Sequence, residues 1–435
     1  MSSARPQRFR GDSRRAADPR RTPAEPETAA VPVTGAGPEA GAGPVTGAAE
    51  LETGAGPETG AGRSVSPHER ARGATINPAN RFTLQAVELD AEALQAAWEA
   101  ERAEAASDER EDPASAASLF APTATQVFRD TTRTILTRND SPDVGFNVSL
   151  NPYRGCEHGC IYCYARPTHE YLGMSAGLDF ETRIVAKFDA PDLLRKELQA
   201  AGYVPEPLSM CGVTDAYQPV ERVLCITRGC LQVLSQLRHP VGIVTKSTLV
   251  LRDLDLLQPL AEVGATRVWI SLSTLDPLLK RQLEPRAASP ARKLAAIRTL
   301  RDAGIPVGVM AAPMIPGLND HELPSILTAA VEAGADCAGY VMLRLPHAVK
   351  ELFAAWLAHH RPGEAAKVLG RIREVRAGSL NATEFGERMR GSGPYAEQIR
   401  SLFHVSRRRL GLPERPVPLS AAAFRRPGRT RSLFG

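Results

Sequence analysis

Nowhere in this chain do apolar residues run together for the roughly 18 positions a membrane-spanning helix needs, so no membrane partner is expected. No apolar signal segment precedes the cysteines, and these number seven, an odd total. A disulfide scaffold is therefore a poor reading, and a reducing, cytoplasmic setting is expected. A large charge imbalance is also missing: the formal net charge is +4, so only its distribution is informative.

Residues 1–115 contain too little apolar surface to offset the entropy of ordering. A Thr34-Gly-Ala-Gly-Pro-Glu stretch returns at Thr53 within similar Gly/Ala/Pro text, and the opening is arginine-rich with Asp12 and Asp18 interspersed. This region reads as mostly disordered, with two exceptions. The segment from Arg70 to Phe82 carries apolar and asparagine residues able to dock on a folded core, and 90–106 reads as a short Ala/Glu-rich helix with Asp90 as its cap. At the other end, 413–435 is a basic tail in which Arg415, Arg425, Arg426, Arg429 and Arg431 face only Glu414. Such a tail attracts phosphate, or is simply a solvated terminus.

What the chain does have is Cys156-Glu-His-Gly-Cys160-Ile-Tyr-Cys163, three cysteines at C-x3-C-x2-C spacing with Tyr162 and Tyr164 beside the last. Close thiolates select zinc, Cu(I) or an iron–sulfur cluster. With His158 they could form a Cys3His zinc site, although the spacing is tight for that. Gly155 and Gly159 suit a loop wrapping closely around a cluster. The motif resembles the cluster loop of the radical S-adenosylmethionine (SAM) superfamily. That resemblance implies a [4Fe-4S] cluster on Cys156, Cys160 and Cys163 whose fourth iron binds SAM. It implies reductive cleavage of SAM to a 5′-deoxyadenosyl radical, and a one-electron reductant such as flavodoxin or ferredoxin as partner.

From 116 to 345 short apolar runs alternate with amphipathic segments, the pattern of βα units and a parallel sheet. Six runs are found, at 146–150, 207–212, 241–245, 267–272, 306–311 and 339–343. Helix-like stretches between them end in Ala201-Gly202, Val263-Gly264, Ala303-Gly304 and Ala333-Gly334, as helices closed by a left-handed glycine do. Six repeats are too few for a closed eight-stranded barrel. The fold predicted is an α/β open partial (β/α)6 barrel of the radical SAM type, followed by helices over 346–412 that cap its open side. Trp356 is expected in their core.

Ligands of such barrels gather at the C-terminal ends of the strands. The second strand leads into Cys211-Gly-Val-Thr214-Asp215-Ala-Tyr217-Gln218-Pro219-Val-Glu221. Here Asp215 and Glu221 could accept from an ammonium or ribose, and Tyr217 could stack on a base; the same residues would also serve as a capped polar loop. This stretch is similar to one in a bacterial radical SAM group related to spore photoproduct lyase, DNA repair photolyase-like proteins. The similarity implies Lys246 and Ser271 or Ser273 as SAM contacts, with Lys246 able to pair with the SAM carboxylate; Tyr162 and Asp215 are also expected to bind cofactor. The similarity also suggests Cys211 as a hydrogen donor, although the interval to the following aspartate departs from that group's pattern; strand packing is the alternative. Loops 312–320 and 343–346 are expected to wall the adenine pocket, with Met314 and Ile315 as either wall or core. Cys225, Cys230 and Cys337 read as small buried hydrophobes. The function expected is a radical SAM enzyme, lyase-like, repairing a DNA lesion. Modification of a peptide or small molecule is the enzymatic alternative, and a zinc-binding nucleic-acid module the non-enzymatic one.

Overall fold

The computed structural model describes residues 72–74, 76–82 and 124–426. The Gly/Ala/Pro repeats, the arginine-rich opening, the helix expected over 90–106 and residues 427–435 lie outside them. Ten strands are assigned among the described residues: β1 (Gln126–Arg129), β2 (Leu136–Arg138), β3 (Val148–Leu150), β4 (Tyr153–Arg154), β5 (Arg183–Ala186), β6 (Leu208–Met210), β7 (Val241–Thr245), β8 (Thr266–Ser271), β9 (Val307–Met314) and β10 (Cys337–Met342). Six of them, β3, β6, β7, β8, β9 and β10, form one parallel sheet in sequence order, with β2 antiparallel on the β3 edge.

Each apolar run read from the sequence supplies one of these parallel strands. β3, β6 and β8 are almost wholly buried, as strands covered on both faces must be. Successive connections step to the next neighbour and pass through helices, so the sheet curves into a partial barrel. The helix Ile226–Leu237 buries Ile226, Cys230, Leu231, Val233, Leu234 and Leu237 along one side, the spacing a core-facing helix requires. The helix Pro290–Asp302 is started by Ser289, whose hydroxyl accepts from the Arg292 amide, with Pro290 in the first turn. Of the four Ala-Gly and Val-Gly steps, Gly264, Gly304 and Gly334 are left-handed; Gly202 is not, because its helix already ends at Gln199 with Ala200 extended.

Two features were not legible in the sequence. A small second sheet, ordered β1-β5-β4, flanks the cysteine loop. The C-terminal segment 413–426 is not a free basic tail: it lies across the N-terminal end of the barrel strands. The Ser420 amide donates to the Gly264 carbonyl at 2.9 Å and the Arg425 amide to the Leu237 carbonyl at 2.8 Å. Phe424 meets His239 edge-on at 5.5 Å, and the Arg426 guanidinium donates to the Ala201 and Tyr203 carbonyls. Among the described residues no helix is long and apolar enough to cross a membrane.

Candidate active site

The cysteine loop leaves β3 and β4 at the C-terminal end of the barrel. Gly155 and Gly159 take φ of +81° and +65°, conformations open to glycine at little cost. A Cβ on Gly155 would meet His169 Cε1 at 2.8 Å, and one on Gly159 would meet Glu181 Oε2 at 2.7 Å. The loop is anchored from both sides. The Cys156 amide donates to the Phe180 carbonyl at 2.9 Å and the Ile161 amide to the Leu283 carbonyl at 3.1 Å. Its own carboxylate, Glu157, accepts from the Val220 amide and the Thr125 hydroxyl and pairs with Arg286 at 3.2 Å.

The segment that begins at Arg72 closes over this loop, as the asparagine-bearing text suggested. The Gly73 and Ala74 amides donate to the two Glu181 oxygens at 3.0 and 2.8 Å, and Glu181 is itself paired with the buried Arg166 at 2.5 Å. A Cβ on Gly73 would fall 1.6 Å from the Gly159 carbonyl oxygen, so the two backbones touch. Arg166 also donates to the Cys160 carbonyl, fixing the loop from below.

The stretch 214–221 turns out to be a scaffold for this loop. Thr214 Oγ1 donates to the Gly155 carbonyl at 2.6 Å, and Gln218 Nε2 does so at 3.3 Å. Asp215 is buried and accepts from Thr245 Oγ1 at 2.7 Å, the Lys246 amide at 2.8 Å and the Tyr217 amide at 2.9 Å, with His158 Nε2 at 3.3 Å. Burial would raise its carboxyl, but His158 and these hydrogen bonds hold it down at about 2. Asp215 thus places Lys246 and does not reach the cavity wall. Glu221 is equally committed, to Arg252 and the Tyr153 hydroxyl, and Tyr217 is fully buried, so neither can meet ribose or base.

A cavity of about 790 Å³ opens beside the cysteines, lined among others by Tyr162, Tyr164, Cys211, Lys246, Ser271, Ala312, Pro313, Leu343 and Arg344. The structure therefore brings Tyr162, Cys211, Lys246 and Ser271 together. Ser273, past the end of β8, is not on this wall; its hydroxyl donates to Glu284 at 2.6 Å. Met314 and Ile315 are fully buried core residues. Cys225 is exposed at the left-handed end of a short helix, against expectation, whereas Cys230 and Cys337 are buried as expected. Trp356 is fully buried.

Sequence reasoning missed Glu284. This buried carboxylate accepts from the Tyr162 and Ser273 hydroxyls and pairs with Lys293 at 2.8 Å. Burial pushes it up, but the charges of Lys293 and Lys246 prevail and hold it well below the usual carboxylate range. Lys246, whose Nζ donates to Ser271 Oγ at 2.7 Å, is pushed down by burial yet held above its ordinary value by Glu284 and its other neighbours. It is a charged ammonium at neutral pH.

Three thiols on one glycine-relaxed loop, Cys156 and Cys160 buried and Cys163 partly exposed, fit a cubane's protein ligands. Burial pushes all three thiols up, Cys160 to about 12, so a soft metal that holds thiolate is what this donor set suits. The Cys3His alternative lacks its fourth ligand. Both His158 ring nitrogens face other groups, Asp215 and the Arg286 carbonyl, and among the described residues no three His, Cys, Asp or Glu side chains are placed to hold a single ion.

Residues 150–330 match the family model described as the radical SAM superfamily. A protein of Mycobacterium tuberculosis described as uncharacterized is 34% identical over 276 residues, 63% of this chain and 78% of the relative. GTP 3′,8-cyclase of Pseudomonas putida is 26% identical over 266 residues, 58% of this chain and 68% of the relative. Among solved structures, a spore photoproduct lyase complexed with dinucleoside spore photoproduct aligns at 16% identity over 65% of this chain and 78% of that one, with a TM-score of 0.46. With its cysteine loop at the head of a partial barrel, this chain belongs to the radical SAM superfamily, whose members use a [4Fe-4S] cluster and SAM.

Proposed function

We propose that this radical SAM protein is a lyase-type enzyme acting on a damaged pyrimidine in DNA, with Cys211 returning a hydrogen atom to the product radical. The observation that carries the reading is the placement of Cys211. It follows β6 directly at φ +77°, a conformation that costs an L-residue on the order of 1–2 kcal/mol, and it lines the cavity that Lys246, Ser271, Tyr162 and Tyr164 also line. Asn151 Oδ1 holds the strained turn by accepting from the Gly212 and Val213 amides at 2.9 and 3.1 Å. Backbone strain retained at a cavity wall is a reason to look for function there.

Burial, then the charge of Asp215, pushes the Cys211 thiol well above its ordinary value. It is an S–H at neutral pH, as hydrogen-atom donation requires. In the donation the S–H bond breaks homolytically, a C–H bond forms on the product, and the unpaired electron stays on sulfur. Cys156, Cys160 and Cys163 would hold the cluster, Lys246 would meet the SAM carboxylate, and Tyr162 would be oriented by its bond to Glu284. Bound there, the cluster and SAM supply reductive cleavage of the sulfonium and a hydrogen-abstracting adenosyl radical. The electron would come from a one-electron donor such as flavodoxin or ferredoxin.

The test is anaerobic reconstitution, reduction with dithionite, and incubation with SAM and duplexes carrying a panel of pyrimidine lesions in D2O. A lesion should be reverted with deuterium in the product, and undamaged DNA left unaltered. Cys211→Ala should lose the deuterium incorporation. No lesion altered across the panel overturns the reading. A second reading, chemistry on a free nucleotide, is favoured by the likeness to GTP 3′,8-cyclase and by a cavity whose charged lining residues are all cations. GTP consumption by the same preparation would select it.

A further inference from the structure

The charged side chains lining the cavity are Arg154, Lys187, Lys246, Arg344 and Arg388; among the described residues lining it there is no aspartate or glutamate. Three of these cations are already engaged. Arg154 pairs with Asp130 at 2.8 Å, Arg388 pairs with Asp143, and Lys246 donates to Ser271. Lys187 and Arg344 are different.

Lys187 follows β5, with its backbone fixed: its amide donates to the Pro152 carbonyl at 3.0 Å and its carbonyl accepts from the Ala190 amide at 2.9 Å. The residue is only 9% exposed, yet among the described residues its ammonium has no hydrogen-bond or ion-pair partner. Burial, then the charge of Arg154, pushes it below the usual lysine range. Asp130, the acid that opposes this, is taken by Arg154 and by the Thr132 amide. Arg344 is half-buried and among the described residues forms no ion pair; the nearby Asp143, whose charge it feels, is paired with Arg388. The Arg344 guanidinium lies 5.2 Å over the Tyr164 ring, and among the described residues its one hydrogen bond is to Met389 Sδ at 3.6 Å, with Nε unpartnered. An ammonium that lines a cavity without an acceptor of its own is available to an anion that enters it.

We propose that Lys187, on the wall of a cavity that Arg344 also lines, forms an anion subsite that receives a phosphate of the substrate, the phosphodiester that joins the two nucleosides of a lesion. The proposal rests on the nucleic-acid reading above for the identity of the phosphate, but not for the subsite itself. The remaining lining fits such a guest: Tyr171 and Phe146 offer apolar faces beside the bases, while Thr137, Asn139 and Ser149 offer neutral hydrogen bonds. Charge-assisted bonds to phosphate oxygens would give the Lys187 ammonium the acceptors it lacks.

The experiment uses the reconstituted full chain with SAM and isothermal titration calorimetry. Its probes are thymidylyl-(3′→5′)-thymidine, its uncharged methylphosphonate twin, and inorganic phosphate. The charged dinucleotide should bind at least about tenfold more tightly than the neutral twin in the wild type. Lys187→Gln should erase that preference and Lys187→Arg should keep most of it. Lys187→Met should not lower the Tm, because it breaks no hydrogen bond or ion pair among the described residues, whereas loss of a lysine with a structural role would lower it. If inorganic phosphate binds in a Lys187-dependent way and the dinucleotides do not bind, the subsite stands and the nucleic-acid reading falls. If wild-type protein binds none of the probes, or if Lys187→Gln leaves their affinities unchanged, the subsite is overturned, even should lesion DNA be turned over.

Discussion

At the scale of single residues the site is a chain of charges handed from one side chain to the next: Lys293 to Glu284, Glu284 to Tyr162 and Lys246, Asp215 to the Lys246 backbone. Lys246→Ala should weaken SAM binding by on the order of tenfold with iron content unchanged, since one ammonium–carboxylate bond is lost and no iron ligand is touched. Equilibrium binding to the reconstituted variant checks this; unchanged affinity removes Lys246 from the site. Glu284→Gln should be costlier for the fold. It leaves Lys293, 1% exposed, without its counter-charge, and breaking one partner of a buried pair costs about 3–5 kcal/mol. The urea midpoint, with an unchanged m-value, reads that loss. The three cysteines were legible because cluster ligation demands one residue type at close spacing. Glu284 was not: its bond to Tyr162 spans 122 positions, and nothing local marks a glutamate as buried. Cys225 misled for a related reason, since an apolar neighbourhood in sequence says little about which way a left-handed helix end points its thiol.

At the scale of elements, the parallel strands and their helices could be read because alternating apolar runs and helix-period faces are local signals. The flanking β1-β5-β4 sheet could not, because β4 has two residues and β1 is exposed along its length, so neither shows a period. The 214–221 stretch, by its polarity, leaves two readings open, a ligand-facing segment or a capped polar loop. Its polar groups instead satisfy the backbone of the cysteine loop, which a loop buried this deeply requires. That dependence gives a test of the loop's packing. Gly73→Ala must push the overlying segment away from the Gly159 carbonyl, so reconstituted iron per chain should fall to less than about half of wild type. Gly145→Ala, where an added Cβ meets nothing within 4 Å, should reconstitute normally. Equal iron in the two variants would show that the 72–74 contact does not support the cluster loop.

At the scale of the whole molecule the partial barrel has three boundaries to close, and different segments close each. Cysteines and strand-end loops form the C-terminal face. On the open side, Arg388 pairs with Asp143 and donates to Ser141, tying the chain after β10 to the loop after β2. The N-terminal face is covered by 413–426, and at its centre lies His239, fully buried between Tyr203 and Phe424. The Tyr203 hydroxyl donates to His239 Nε2 at 2.6 Å while Nδ1 faces the Pro240 carbonyl at 3.1 Å, an arrangement suited to the neutral imidazole. Burial accordingly pushes this histidine down to about 4. Between about pH 6.5 and 4 the unfolded chain binds a proton that folded His239 refuses, so stability rises with pH across that window and is lost as pH falls through it. Going from pH 7 to pH 5 should cost about 2 kcal/mol from this residue alone. Urea unfolding at the two pH values should show the drop in wild type and a smaller one in His239→Gln. Deleting 419–435 should lower the Tm at neutral pH and also flatten the pH dependence, because water then reaches the imidazole and returns it toward its ordinary value. A deletion that lowers the Tm but leaves the full pH dependence would mean that the packed C-terminal segment is not what keeps His239 uncharged.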